Sequence, residues 1–203
     1  MKPKRGTLWV QLGLLLLSAA LFLSAGNLMT SHHAQEASRK VIEQLCQTPP
    51  TQSVAETETT AEPEYLPDID REMPVQITDG REYIGVLRIP SLELELPVLS
   101  QWDSSGLKIA PCRYSGSLYR DDLILCAHNY ESHFGKLKDL QIGDTAIFTD
   151  MDENTVTFQM VEQETLRPAD VAGMTQGDWD LTLFTCTVGG QYRVTVRFVR
   201  VEL

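Results

Sequence analysis

Four cysteines and four histidines carry most of the reactive chemistry open to this chain of 203 residues. His32, His33 and Cys46 fall in an N-terminal arm, where they read as solvated. Cys112, Cys126, Cys186, His128 and His133 fall in the C-terminal part. Cys186 closes the run Thr182-Leu183-Phe184-Thr185-Cys186, just before Thr187-Val188-Gly189-Gly190, and His128 closes Leu123–His128, just before Asn129. Both read as strand ends, where a rigid sheet meets a loop and reactive groups often sit. A Cys and a His distant in sequence but close in space make a nucleophile, because the thiolate attacks and a neighbouring imidazole manages its proton. A carbonyl attacked by sulfur develops an oxyanion, which needs a fixed donor. Arg193 lies seven residues past Cys186 across a Gly-Gly turn, so pairing of 180–186 with 191–201 would stand it beside the thiol. Taken singly, each residue has a plainer reading: a strand Cys is usually a small buried hydrophobe, the His a hydrogen-bonded structural group, and Arg193 part of a solvated face.

The elements that must hold these residues are mostly strands. Segments 83–89, 92–99, 123–128, 144–149, 155–161, 180–186 and 191–201 are rich in β-branched and aromatic residues and bounded by Gly, Pro, Asp and Asn. Asp152-Glu153-Asn154 reads as a hairpin turn, and helical turns fit at 104–109 and 135–140. In 191–201 the alternation points Val194, Val196 and Phe198 inward and Arg193, Thr195 and Arg197 the other way. Seven or eight short strands with almost no helix predict an all-β fold, a closed barrel or a sandwich.

Upstream the texture differs. Lys2, Lys4 and Arg5 precede a stretch from Gly6 to Gln35 with no charged residue. Residues 8–28 would reach about 31 Å as a helix, enough for a ~30 Å hydrocarbon core. The basic cluster then keeps residues 1–7 cytoplasmic and the rest outside. Ser24-Ala25-Gly26 also offers small residues suited to signal-peptide cleavage, and that alternative exports the domain equally. Ala34, Ala37, Val41, Ile42 and Leu45 recur at helical spacing. Residues 48–74 hold five prolines, seven acids and a single Arg, which predicts an extended spacer. The expected organisation is a tail (1–7), a transmembrane signal-anchor (8–28), an arm and spacer (29–81) and a catalytic barrel (82–203).

Charge excludes one class of partner. Lys plus Arg is 17 against 28 Asp plus Glu, a formal charge of −11, which argues against nucleic acid.

Thr182–Cys186 followed by Arg193 resembles the TLxTC…R signature of sortases. Ala127-His128-Asn129 resembles that family's strand-end His, Ile84–Pro90 its first strand, Leu96-Pro97-Val98 the next strand, and Arg167–Val171 the turn before its Cys strand. The likeness spans about residues 82–203. It implies a closed eight-stranded sortase-type β-barrel and a cysteine transpeptidase, with Cys186 as nucleophile, His128 as general acid/base, Arg193 as oxyanion donor and substrate guide, and Thr185 helping to position substrate. The implied reaction cleaves an LPxTG-like sorting signal through a thioacyl enzyme. A cell-wall precursor amine then resolves it, or a pilin Lys in pilus-building members. No cofactor or metal is implied. Ala127 stands where the family often has Gly, and Cys126 is an unusual neighbour of the His. A Cys112–Cys126 disulfide is open in an exported protein, with free buried thiols as the blander alternative. The short connection before Cys186 leaves no room for the long helix of class B members, and the absence of an Asp-Pro-aromatic lid disfavours class C, so a class D-like or housekeeping-type enzyme is expected. The carboxylates Asp121, Asp122, Glu131, Asp150, Asp152 and Glu153 match no calcium loop and read as turn acids. Two rival readings are a zinc site from Cys126, His128, His133 and Cys186 and an anchored adhesion barrel without chemistry.

Overall fold

The computed structural model describes residues 5–47 and 71–201; the spacer residues 48–70 lie outside the described residues, as do the side chains of His32, His33 and Cys46. Helix α1 runs Arg5–Gln47. Among the described residues no helix is long and apolar enough to cross a membrane, so the span expected at 8–28 has no support from them; its side chains at Leu8 and at 25–28 fall outside them. In the second half of α1 the buried positions are Ala34, Ser38, Val41 and Leu45. Their spacing of three or four residues puts them on one helical face. That face packs on the barrel rather than lying in solvent, and Ser38 Oγ donates to Ile109 O at 2.9 Å.

The strands are β1 (Gln76–Thr78), β2 (Arg81–Ile89), β3 (Leu94–Leu99), β4 (Cys112–Ser115), β5 (Leu123–Ala127), β6 (Thr145–Asp150), β7 (Thr155–Leu166), β8 (Leu181–Cys186) and β9 (Arg193–Arg200). They pair in the order β1-β2-β3-β4-β5-β8-β9-β7-β6, and β6 pairs back onto β2. Strands β2 to β9 therefore close an eight-stranded barrel, with β1 an appendage on β2. Closure leaves no free sheet edge within the ring. All seven expected strands form. The sequence pattern missed β4, which is four residues long and mixes Cys, Arg, Tyr and Ser. It also missed β1, which falls within the segment expected as spacer. The turn at Asp152–Asn154 is organised by Asp150, whose Oδ1 accepts from Asp152 N and Asn154 N at 2.9 Å.

Inside the barrel, Ile84, Leu87, Phe148, Phe158, Leu183 and Val196 are wholly excluded from water. A second buried cluster lies on the outer face of the wall. It joins Cys112, Ile124, Cys126 and Phe184 to Val41 and Leu45 of α1 and to Met174 of the short helix α2 (Val171–Thr175). Here both faces of the sheet are covered. The expected solvated face of β9 is accordingly absent: Thr195 and Arg197 are 0% and 1% exposed. Arg197 donates to Met174 O at 3.1 Å, Thr182 Oγ1 at 2.9 Å and Glu164 Oε1 at 2.9 Å, and also to Gly173 O. The terminal nitrogens of this buried guanidinium are met although its Nε is not, and α2 supplies two of the acceptors, the Gly173 and Met174 carbonyls, which strand alternation does not reveal.

Candidate active site

Strand pairing sets the site. Strands β5 and β8 run parallel, with Ala127 opposite Thr185, so the next residue after each is His128 and Cys186 respectively. Parallel neighbours lie about 4.8 Å apart. On the other side of β8, Cys186 pairs directly with Arg193 of antiparallel β9. Cys186 and Arg193 are thus paired at the ends of β8 and β9, and His128 is the first residue beyond β5, level with Cys186 when that register is extended by one residue. Register partners share a face. The next row on that face is Cys112, Cys126, Phe184 and Thr195.

Local structure explains why the strands stop there. After Cys186 the chain turns through Gly189 (φ 85°) and Gly190 (φ 72°), a left-handed pair that a side chain would strain. The turn is closed by Thr187 N donating to Tyr192 O at 2.9 Å and Gly190 N to Thr187 O at 2.8 Å. Cys186 and His128 are each half-buried, reachable from solvent yet partly desolvated. The Arg193 guanidinium donates to Gly190 O and Tyr192 O, both at 3.2 Å, which holds it over the same turn. Thr185 faces the barrel interior, 3% exposed, and its Oγ1 donates to Ala127 O at 2.8 Å. Its hydroxyl pins β8 to β5 one residue before Cys186 and His128.

The electrostatics separate the thiols. Burial pushes Cys112 and Cys126 up to about 12 each, so both stay protonated and unreactive at neutral pH. They pair across β4 and β5 in register, and both are free thiols. Burial, with a smaller push from Lys108, lowers the His128 pKa below its ordinary value. At neutral pH its imidazole is therefore neutral and able to accept a proton. His133 is wholly buried and burial takes it down to about 4. Among the described residues no group of three or more His, Cys, Asp or Glu could hold a metal ion, so the suggested zinc set is not gathered. Of the turn carboxylates, Asp150 is occupied by the Tyr119 hydroxyl at 2.6 Å and by the Asn154 side chain at 2.8 Å.

Sequence reasoning missed Tyr130, whose ring stands 5.0 Å from that of His128, and Phe184, which lies in the row beside Cys186. The strand alternation in 180–186 carried a signal for Phe184; nothing local marked Tyr130.

Residues 87–201, more than half of the chain, match the Sortase domain family. No curated protein matches the chain in sequence. Among solved structures, the Clostridium perfringens sortase D5 transpeptidase is 18% identical with a TM-score of 0.54, covering 63% of this chain and 83% of that one. Streptococcus pneumoniae sortase C is 22% identical with a TM-score of 0.53, covering 60% and 70%. Actinomyces oris sortase C-1 is 22% identical with a TM-score of 0.53, covering 59% and 74%. At these identities the likeness concerns the fold, and it agrees with the closed barrel. The family match and the barrel together place this chain in the sortase family of cysteine transpeptidases.

Proposed function

We propose that the chain is a membrane-anchored, class D-like or housekeeping-type sortase that joins secreted proteins bearing an LPxTG-like signal to a cell-wall amine. One observation supports the assignment of roles: the register that pairs Cys186 with Arg193 and brings the end of β5, just before His128, beside them. In this reading Cys186 Sγ attacks the carbonyl of the Thr–Gly bond. His128 takes the thiol proton and returns it to the leaving amine. Arg193 exchanges its turn carbonyls for the developing oxyanion and the substrate backbone. The resulting thioester is then attacked by the acceptor amine, and the thiol is regenerated. Thr185 supports substrate placement through the strand junction it pins. No cofactor enters the scheme.

The charge-free run from Gly6 to Gln35, behind Lys2, Lys4 and Arg5, supports anchoring with the barrel outside. The connection from Arg167 to Asp180 holds only the five-residue α2, which supports a class other than B.

The test is a peptide-cleavage and amine-transfer assay on the full chain in detergent. The parent should form a thioacyl adduct visible by mass and give ping-pong kinetics. Cys186→Ala should form neither adduct nor product while remaining folded. His128→Ala and Arg193→Ala should fold and lose about 10²–10⁴-fold in rate. Turnover by Cys186→Ala would refute the proposal.

A further inference from the structure

The loop that leaves β5 folds tightly back on its own start. His128 O accepts from Phe134 N at 3.2 Å, and Tyr130 O accepts from both His133 N and Gly135 N at 2.9 Å. Phe134 is wholly buried in the barrel core and anchors the loop. Gly135 has no room for a side chain: a Cβ there would stand 2.6 Å from Asn129 O and 2.7 Å from Tyr130 O. Within this closed loop three rings lie in sequence. The His128 and Tyr130 centroids are 5.0 Å apart with planes tilted 39°. Those of Tyr130 and His133 are 5.5 Å apart, tilted 47°. His133 is wholly buried while Tyr130 and His128 are half-buried, so the row of tilted rings runs from an interior ring to the one at the strand end.

An imidazole at the end of a strand has two free side-chain torsions. Proton transfer to and from a thiol needs one ring plane and one direction, and small misplacement is costly. We infer that Tyr130 and His133 are positioning residues for His128: the buried His133 ring backs Tyr130, and Tyr130 fixes the plane of the His128 imidazole. This rests on the reading of His128 as the proton carrier. The charged and titratable neighbours of His128 are Lys108 from the turn at Gly106–Lys108 and Tyr130 and His133 from its own loop; Cys186 ends the adjoining strand β8, and Arg193 lies one strand further on, at the start of β9. Burial is the largest cause of its lowered pKa, and the Tyr130 ring is part of that cover.

The experiment compares Tyr130→Ala, Tyr130→Leu, Tyr130→Phe and His133→Ala in the full chain. It reads kcat, KM and the pH profile, together with NMR titration of the labelled His128 imidazole. We expect Tyr130→Ala to lower kcat on the order of 10–100-fold at nearly constant KM. The His128 midpoint should rise towards its ordinary value as water reaches the ring. His133→Ala should move both readouts in the same direction by less, and Tyr130→Phe, which keeps the ring, should restore both. Should Tyr130→Ala fail to fold, Tyr130→Leu carries the same comparison. An unmoved His128 midpoint in a folded variant lacking the aromatic ring overturns the inference, whatever happens to the rate. Full turnover by His128→Ala would instead overturn the proton-carrier reading and leave the NMR result to decide the ring contact.

Discussion

Between its ordinary pKa of 6.5 and the value of about 4 imposed by burial, His133 should make the barrel markedly less stable as pH falls. The sign follows from proton counting. Below pH 6.5 the unfolded chain takes up a proton at this ring, whereas the folded chain refuses it until about pH 4. The unfolded state therefore binds more protons throughout that window, and stability rises with pH across it. At about 1.4 kcal/mol per pH unit, the gap amounts to about 3 kcal/mol at most. That is a large share of the roughly 5–15 kcal/mol that holds a typical domain together. Burial of His128 acts in the same direction and adds to the slope. Asp103, held down to about 2 chiefly by the Ser105 hydroxyl and then by the Gly106 and Ser105 amides, loses its contribution only as pH falls from 3.8. The comparison is between the parent and His133→Leu, which fills similar space and cannot titrate. Denaturant unfolding of the full chain, followed by tryptophan fluorescence at about pH 7 and about pH 4.5, gives the two differences. The parent should lose about 2–3 kcal/mol more than the Leu variant on acidification. Parallel losses in the two proteins would refute the reasoning, because they would show that this ring is not kept neutral by the fold.

Two further perturbations test the barrel wall. Arg197→Ala should cost about 3–5 kcal/mol, because it strips the donor from the Gly173 and Met174 carbonyls and from the buried Thr182 hydroxyl. Glu164→Gln should cost no more than about 1 kcal/mol, since that side chain is 34% exposed and water can replace it; a denaturation midpoint equal for both variants would contradict this. Gly85→Ala should destabilise the closure by about 1–3 kcal/mol. Its Cβ would stand 2.4 Å from Thr149 O and 2.6 Å from the Phe148 ring at the β2–β6 seam, and an unchanged midpoint would show that the seam yields freely.

How much of this was legible in the sequence depends on the range over which each feature is determined. Strand positions were readable because an alternating run meets its own core within a few residues, as Val194, Val196 and Phe198 do. β4 was not, since Cys112–Ser115 owes its pairing to β5 and to a single parallel contact with β3, not to its own composition. The buried state of Arg197 was hidden for a related reason: alternation reports that a residue points out of the barrel but not what lies there. In this molecule α2 and the arm of α1 lie there, and both arrive from outside the strand. The same distinction divides the site. That Arg193 stands beside Cys186 follows from a hairpin with a short Gly-Gly turn, which fixes register locally. That His128 stands beside Cys186 does not, because parallel pairing of β5 with β8 is set by the whole barrel closure across 58 residues, 128 to 186. Only the resemblance to a known family points to that pairing.

The row geometry also explains why these three side chains can share an end without sharing a loop. The three strands reach one rim of the barrel together: β5 ends at Ala127 opposite Thr185, one residue short of His128, and β8 ends at Cys186 opposite Arg193, where β9 begins. The sulfur, the imidazole and the guanidinium are therefore placed by backbone hydrogen bonding in the sheet, which is stiff, while their surroundings come from loops, which can vary. The hydroxyl of Thr185 strengthens this junction from the interior, where solvent cannot compete for Ala127 O. One row below, Cys112, Cys126 and Phe184 are buried and chemically quiet. Cys186, at the strand end, is half-exposed, in keeping with the nucleophile proposed for it. Three cysteines of the described barrel thus divide into two that are buried and one that solvent can reach, and the division follows from their depth in the sheet rather than from any difference in the residue itself.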